Sequence, residues 1–236
     1  MWNTKDLRET DPEFMERAEH FALEEVPKEA GQQLDDVTRY LAILATLLGC
    51  QGREVFQQIL PDALDAGVTP VMAKEVIYQA VDYLGIGRVL PFLHGANQVF
   101  SEKGIALPLE GQATTTMENR LERGAQTQVE IFGPIMEGAW KQGHINRWLA
   151  ANCFGDYYTR TGLTLAQREM ITFCFLAAQG GCEPQLTAHA GGNMNLGNGE
   201  EFLIKVVSQC LPYIGYPRSL NALSCIAKAA EARKQP

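Results

Sequence analysis

The sequence predicts an all-α fold built from two copies of one helical unit. Helix start and stop signals recur along the chain, and no stretch alternates polar and apolar residues as a half-buried strand would. One helical segment near residue 80 also returns near residue 210. A match of this length predicts that a single structural unit occurs twice.

The repeat is clearest between "VIYQAVDYLGIGRVL" at 76–90 and "VVSQCLPYIGYPRSL" at 206–220. Both fit V-[IV]-x-Q-x-x-x-Y-[LI]-G-x-x-R-x-L, and upstream "GCQG" at 49–52 pairs with "GCEP" at 181–184. These matches predict two similar sets of helices, each with the same Tyr-aliphatic-Gly step.

The stretch between the copies has the composition of a linker. Residues 105–119 hold Gly, Pro and a run of Thr between periodic segments. We therefore expect a first repeat over 14–104, a linker over 105–119 and a second repeat over 120–233.

Two helices of the second copy have recognisable boundaries. Thr164 followed by Gln167 has the spacing of a capping box, and the run of helix formers after it stops at Gly180-Gly181. Pro184 suits the first turn of the next helix, where its missing N–H is no loss. These signals predict a helix up to about 179 and another from about 183.

The end of the chain is also predicted to be helical. Asn198 followed by Glu200 and Glu201 is a favourable helix start, because acidic side chains complement the helix dipole. Pro217 is predicted to begin the last helix.

Composition limits the classes of partner. The net charge is −8, with 9 basic and 18 acidic residues in 1–110 and 11 and 10 in 111–236. Without a cluster of Lys and Arg, a nucleic-acid partner is not expected. The charged start of the chain shows no signal peptide, and no apolar run is long enough to span a bilayer. Six scattered cysteines without a Cys-x-x-Cys pair are typical of reduced thiols, so a cytoplasmic protein is expected.

The segment "GGCEPQLTAHAGG" at 180–192 carries the candidate chemistry. If a helix starts near Glu183, Cys182 lies at its N-terminus, where the dipole favours a thiolate. Gln185 and His189 then project from the same face as Cys182. The spacing permits either a Cys–His couple or a Gln–His polar patch.

The order of motifs in the second copy resembles the carboxymuconolactone decarboxylase family, which includes alkylhydroperoxidase D. The matching run consists of Arg-x-x-x-Gly in 118–133, Phe-Gly-Asp and Leu-Thr-x-x-x-Arg-Glu in 154–178, then His189, and Tyr-x-Gly-x-Pro in 212–229. It covers about half the chain, and the first copy resembles the family more loosely. The resemblance implies a duplicated, all-α fold of that family.

The peroxidase branch of the family uses Glu…Cys-x-x-Cys-x-x-x-His, in which two thiols cycle through a disulfide. Glu169, Cys182 and His189 match that template, but Gln185 stands at the second cysteine position and the Glu-to-Cys spacing is one residue longer. The resemblance implies, as an alternative function, a thiol-dependent hydroperoxide reductase acting through Cys182. Its sulfenate would need another thiol as reductant.

The decarboxylase branch resembles the chain better around 154–168, and it requires no cysteine pair, metal or organic cofactor. It implies acid/base catalysis on a small lactone or carbonyl acid, with His189 as acid/base and Glu169 as its orienting group. Gln185 could donate to the oxyanion, and Arg168 could bind the carboxylate. Decarboxylation is the leading hypothesis.

The first copy lacks the presumed acid/base residue. Cys50 aligns with Cys182, but Arg53 and Gln57 align with Gln185 and His189. A non-catalytic helical assembly module is therefore a further alternative. Single-copy members resemble rings of dimers, so a fused pair implies a homotrimer with six units.

Overall fold

The computed structural model describes residues 5–234. It contains helices and no strand within that range, which confirms the all-α prediction. Met1–Thr4 lie outside the described residues. They begin the charged segment that shows no signal-peptide pattern in the sequence. No helix within 5–234 combines the length and apolar character needed to cross a membrane.

The helices fall into an N-terminal group and two larger groups. The first group comprises α1 Lys5–Thr10, α2 Pro12–Glu19, a π-helical continuation His20–Glu25 and α3 Val26–Lys28. The second comprises α4 Asp36–Gly49, α5 Arg53–Asp65, α6 Pro70–Leu84 and α7 Ile86–Glu102. The third comprises α8 Arg120–Phe132, α9 His144–Trp148 with a π-helical continuation Leu149–Tyr158, α10 Leu165–Gln179, α11 Glu183–Asn195 and α12 Glu200–Ala232.

The helices of the two large groups correspond in order and length. Helices α4 and α5 match α10 and α11, while α6 and α7 match the two halves of α12. A π-helical segment precedes each set. Residues 105–119 contain no helix, and α8 has no counterpart before α2 in the described chain.

The glycine of the shared Tyr-aliphatic-Gly step breaks the helix in both copies. Gly85 lies between α6 and α7 with φ 80°, and Gly215 interrupts α12 with φ 74°. A side chain would strain this left-handed backbone conformation, so glycine accounts for the sharp change of direction. The start predicted at Pro217 therefore falls within the second half of α12, just after this break.

Most of the predicted boundaries are present. Thr164 and Gln167 form the capping box of α10, and Pro184 lies in the first turn of α11. We expected Asn198 to cap α12, but the residue directly before that helix is Gly199. The Asn198 amide instead donates to the carbonyl of Ala166 at 2.9 Å, tying the α11–α12 turn to α10.

The two copies share one core, centred on the contact between α4 and α10. Gly49 permits their close approach, because a β-carbon there would lie 2.7 Å from the Ala178 side chain and from the Phe175 carbonyl. The large apolar side chains of both helices are almost fully buried. The site of the second copy is therefore held on a scaffold to which both copies contribute.

Helix α8 packs on the π-helical segment Leu149–Tyr158. A β-carbon at Gly124 would lie 1.8 Å from the Ala150 carbonyl oxygen, and one at Gly155 would lie 2.1 Å from that of Arg120. Backbone meets backbone at these two glycines, which fixes the end of α8, with Phe132, beside α11.

Candidate acid/base site

A buried carboxyl–imidazole pair forms the centre of the site. The Glu169 Oε2 and His189 Nδ1 atoms are 2.8 Å apart, with Glu169 fully buried and His189 8% exposed. Glu169 is on the second turn of α10 and His189 on the second turn of α11. When Glu169 is a carboxylate, it can only accept, so Nδ1 carries the proton and Nε2 keeps a free lone pair. Nε2 has no hydrogen-bond partner among the described residues.

A chain of hydroxyl groups supports the carboxylate from the other side. Tyr158 Oη donates to Glu169 Oε1 at 2.7 Å, and it lies 2.7 Å from Thr172 Oγ1 and 2.8 Å from Tyr83 Oη. Burial raises the pKa of both tyrosines well above the usual value, so both hydroxyls remain protonated donors. Because the Tyr158 hydroxyl donates its single proton to Glu169, Tyr158 Oη accepts hydrogen bonds from Thr172 and Tyr83. The hydrogen bonds therefore point toward the Glu169 carboxylate.

The chain extends to a thiol and a second carboxyl group. Cys153 Sγ donates to Tyr83 Oη at 3.7 Å, and the carboxyl group of Asp82 lies beside this thiol. Burial, together with the charge of Asp156, raises the pKa of Asp82 to about 8. The Oδ2 atom of Asp82 is buried with no hydrogen-bond partner among the described residues.

Aromatic rings enclose the imidazole of His189. The rings of Phe132 and Tyr83 meet it edge to face, at centroid distances of 5.3 and 5.6 Å. Phe132 is on α8, whereas Tyr83 is on α6 of the first copy. The site of the second copy is thus completed by a side chain from the first.

Gly192 and Asn193 close the space behind the pair. A β-carbon at Gly192 would lie 2.7 Å from Glu169 Oε2 and 2.9 Å from the Ile131 side chain. The Asn193 amide donates to the backbone carbonyls of Glu169 and His189, at 2.9 and 2.8 Å. These contacts hold α10 and α11 in register at the level of the carboxyl–imidazole bond.

Cys182 precedes α11 as expected, but the described contacts do not join it to Glu169 or His189. Its thiol donates to the Leu176 carbonyl at 3.4 Å and receives a long contact of 4.0 Å from the Gln179 amide. Burial raises the pKa of Cys182, opposite to the direction expected from the helix N-terminus alone.

The two residues expected to bind substrate occupy different environments. Gln185 is exposed on α11, one turn before His189. Arg168 is fully buried, and its Nη atoms bond to Glu75 Oε2 and Gln79 Oε1 at 2.9 Å, and to two backbone carbonyls. These partners belong to the protein interior, where no substrate carboxylate can reach the guanidinium group.

Helix alignment changes the correspondence expected for the first copy. Gly52 and Cys182 both precede their helices, so Cys50 lies two residues before the position of Cys182. The seventh residues of α5 and α11 are Ile59 and His189. The fifth residues of α4 and α10 are Tyr40 and Glu169. The first copy therefore has neither member of the acid/base pair.

A sequence model of the carboxymuconolactone decarboxylase family matches the chain twice, over residues 12–97 and 144–228. The two matched regions together cover more than half of the chain, and they span most of the two equivalent sets of helices. The chain belongs to the carboxymuconolactone decarboxylase family, in a tandem, two-copy form. No curated protein gives a significant match to it.

Proposed function

We propose that the protein is an enzyme that decarboxylates a small lactone or carbonyl acid by cofactor-independent acid/base catalysis. The Glu169–His189 pair carries the proposal, because it combines a fixed imidazole with a free Nε2 atom in an apolar setting. Membership in the family supports the same class of reaction.

The reaction needs one proton. Loss of CO₂ from the substrate carboxylate leaves an electron pair that is delocalised into the adjacent carbonyl as an oxyanion. His189 takes up a proton from solvent on the free Nε2 lone pair, and the resulting imidazolium transfers that Nε2 proton to carbon. Glu169 keeps the imidazole oriented and stabilises its charged form, while Tyr158 holds the second oxygen of Glu169.

The roles of the other candidates follow from their surroundings. We assign Arg168 to joining the two copies rather than to binding substrate, because the residue is fully buried and its Nη atoms are engaged by Glu75, Gln79 and backbone carbonyls. Gln185 and the first amides of α11 remain the proposed donors to the oxyanion, since Gln185 is exposed one turn from His189.

The thiol-dependent alternative receives less support from the same contacts. A peroxidatic cysteine reacts as a thiolate, but burial raises the pKa of Cys182 and the thiol donates to a backbone carbonyl. We expect Cys182 to resist a short, near-stoichiometric hydroperoxide pulse. Rapid oxidation of Cys182 that is reversed by added thiol, seen by peptide mapping, would instead favour the alternative.

Turnover of 4-carboxymuconolactone and related lactone acids, followed as CO₂ release, tests the proposed function. We expect His189→Gln to lower kcat/KM at least about 100-fold, the scale of one general acid/base group. His94→Gln, which changes an exposed histidine of the first copy, should leave kcat/KM unchanged. Activity that survives in H189Q would refute the assignment.

We also propose a homotrimer, with repeat boundaries at 14–104 and 120–233 around the linker 105–119. Exposed apolar side chains occupy equivalent positions in the two copies, Ile86 and Leu90 on α7, and Tyr216 and Leu220 on α12. Matching apolar patches suit contacts that each copy makes in the same way. Sedimentation of the full chain gives the number of subunits, and a monomer would contradict the proposal.

A further inference from the structure

Lys74 is a buried cation without an acidic partner. The residue is 6% exposed, yet no carboxylate of the described chain pairs with its ammonium group. Its hydrogen bond goes to the side-chain oxygen of Asn97, and its Nζ atom lies 5.6 and 5.9 Å from the ring centroids of Phe100 and Tyr78. An ammonium group can donate three hydrogen bonds, so this one retains unused capacity. Burial lowers the pKa of Lys74, as expected when no anion compensates its desolvation.

A cavity of about 310 Å³ lies next to this ammonium group. Its polar wall consists of Lys74, Tyr78 and Asn97, from α6 and α7. Its apolar wall is formed by three consecutive linker residues, Leu107, Pro108 and Leu109. The cavity therefore offers one positive charge and hydrogen-bond donors at one side, with hydrocarbon surface at the other.

The second copy has different side chains at the positions that form the polar wall of this cavity. Helix alignment places Ile204 at the position of Lys74, Ser208 at that of Tyr78 and Ala227 at that of Asn97. Ile204 shows that the fold accepts an apolar side chain at the position of Lys74. The lysine and its cavity are a property of the first copy and the linker, and they share no residue with the acid/base site.

We propose that this cavity binds a small monocarboxylate with a short hydrocarbon tail, whose carboxylate pairs with Lys74 and whose tail lies against Leu107 and Leu109. A single ammonium group complements a single negative charge, and a buried charge pair is favourable when both partners are hydrogen-bonded. The amide nitrogen of Asn97 has no hydrogen-bond partner among the described residues, so its N–H₂ group can complete those bonds. The apolar side chains of Leu107 and Leu109 offer hydrocarbon surface to the tail, which favours such a ligand over fully polar anions.

Butanoate is a suitable probe for NMR titration of the ¹⁵N-labelled full chain at constant ionic strength. We expect saturable shifts at the Leu107 and Leu109 amides and at the Asn97 side-chain amide. Lys74→Met, which removes the charge but keeps the length, should weaken binding at least tenfold. Lys228→Met, at an exposed lysine of α12, should leave it unchanged.

Two controls separate this site from others. Butanamide has the same shape without the charge, so wild-type protein should not bind it at the same concentrations. This control uses no variant and therefore does not depend on whether K74M folds. His189→Gln should retain butanoate binding, even if the proposed decarboxylase activity fails its own test. Equal affinity for the amide, equal affinity in K74M, or shifts confined to the surroundings of His189 would each overturn the proposal.

Discussion

The two copies of the helical unit have the same order of helices, but they differ in the side chains at the acid/base positions. The second copy buries Glu169 and His189 where the first has Tyr40 and Ile59 at the equivalent helix positions. Both copies keep the Tyr-aliphatic-Gly step, with glycine at a left-handed break in each. Scaffold features are thus shared by the copies, whereas the acid/base chemistry is confined to one of them.

The first copy nevertheless contributes to the site of the second. Tyr83 on α6 reaches Tyr158 and the ring of His189, and Glu75 and Gln79 on the same helix bind Arg168. A copy without its own acid/base pair therefore supplies contacts on which the other depends. Breaking these contacts in one copy, with the equivalent change in the other as control, measures how far the two have diverged.

The largest expected difference concerns the equivalent arginines Arg168 and Arg39. Arg168 shares the buried Glu75 with Arg160, whereas the Arg39 side chain is 17% exposed and lies 3.7 Å from Asp36. Arg168→Met removes one partner of a buried ion pair, so we expect the free energy of unfolding to fall by about 3–5 kcal/mol. Arg39→Met should cost less than about 1 kcal/mol. Urea denaturation of both variants measures the difference, and equal losses would show that Arg168 does not join the copies.

A smaller effect is expected at the adjacent glycines Gly191 and Gly192. A β-carbon at Gly192 would meet Glu169 Oε2 at 2.7 Å, whereas one at Gly191 would meet nothing within 4 Å. Overpacking of this kind costs about 1–3 kcal/mol. The added methyl group would displace the Glu169 carboxylate from His189, so we expect Gly192→Ala to lower kcat/KM about 10–100-fold. Gly191→Ala should keep full activity and gain helix stability.

Unchanged activity in G192A would show that the carboxyl–imidazole geometry is not critical. In the first copy, the position equivalent to Gly192 is occupied by Asp62, the tenth residue of α5. Glycine is thus present only in the copy that places a glutamate against this turn of the helix.

Local signals account for what the sequence could predict. The capping box at Thr164, the stop after Gln179 and Pro184 in the first turn of α11 depend on neighbours within a few residues, so their positions were predictable. Asn198 failed as a cap, because a contact with α10, 32 residues away, uses its side chain instead.

Long-range contacts explain what the sequence could not predict. Arg168 lies next to Glu169 in a motif, but its buried partner Glu75 is 93 residues away, and no local pattern indicates that pairing. Tyr83 was visible in the repeat motif shared with Tyr213, but only the packing of α6 on α10 brings it to His189. A residue type near a motif predicts chemistry only when its burial and its partners are also known.

The last comparison is pH-dependent and concerns Asp82, whose equivalent position in the second copy is Pro212. The pKa of Asp82 is about 8 in the folded protein against 3.8 for the free side chain, so between these values the folded state holds a proton that the unfolded state has lost. Stability should therefore fall as pH rises from about 4 to 8, and Asp82→Asn, which cannot ionise, should remove this loss.

We expect D82N to be more stable than wild type at pH 8.5, where the buried Asp82 carboxylate would be ionised and its Oδ2 atom has no hydrogen-bond partner among the described residues. The difference should become small near pH 3, where the carboxyl group is mostly protonated in both states. Glu130→Gln, at an exposed acid of α8, should show no such pH dependence. Thermal unfolding between pH 3 and 8.5 compares the three proteins. A constant difference between D82N and wild type would mean that Asp82 titrates normally, and that the hydroxyl chain behind Glu169 does not end in a protonated carboxyl group.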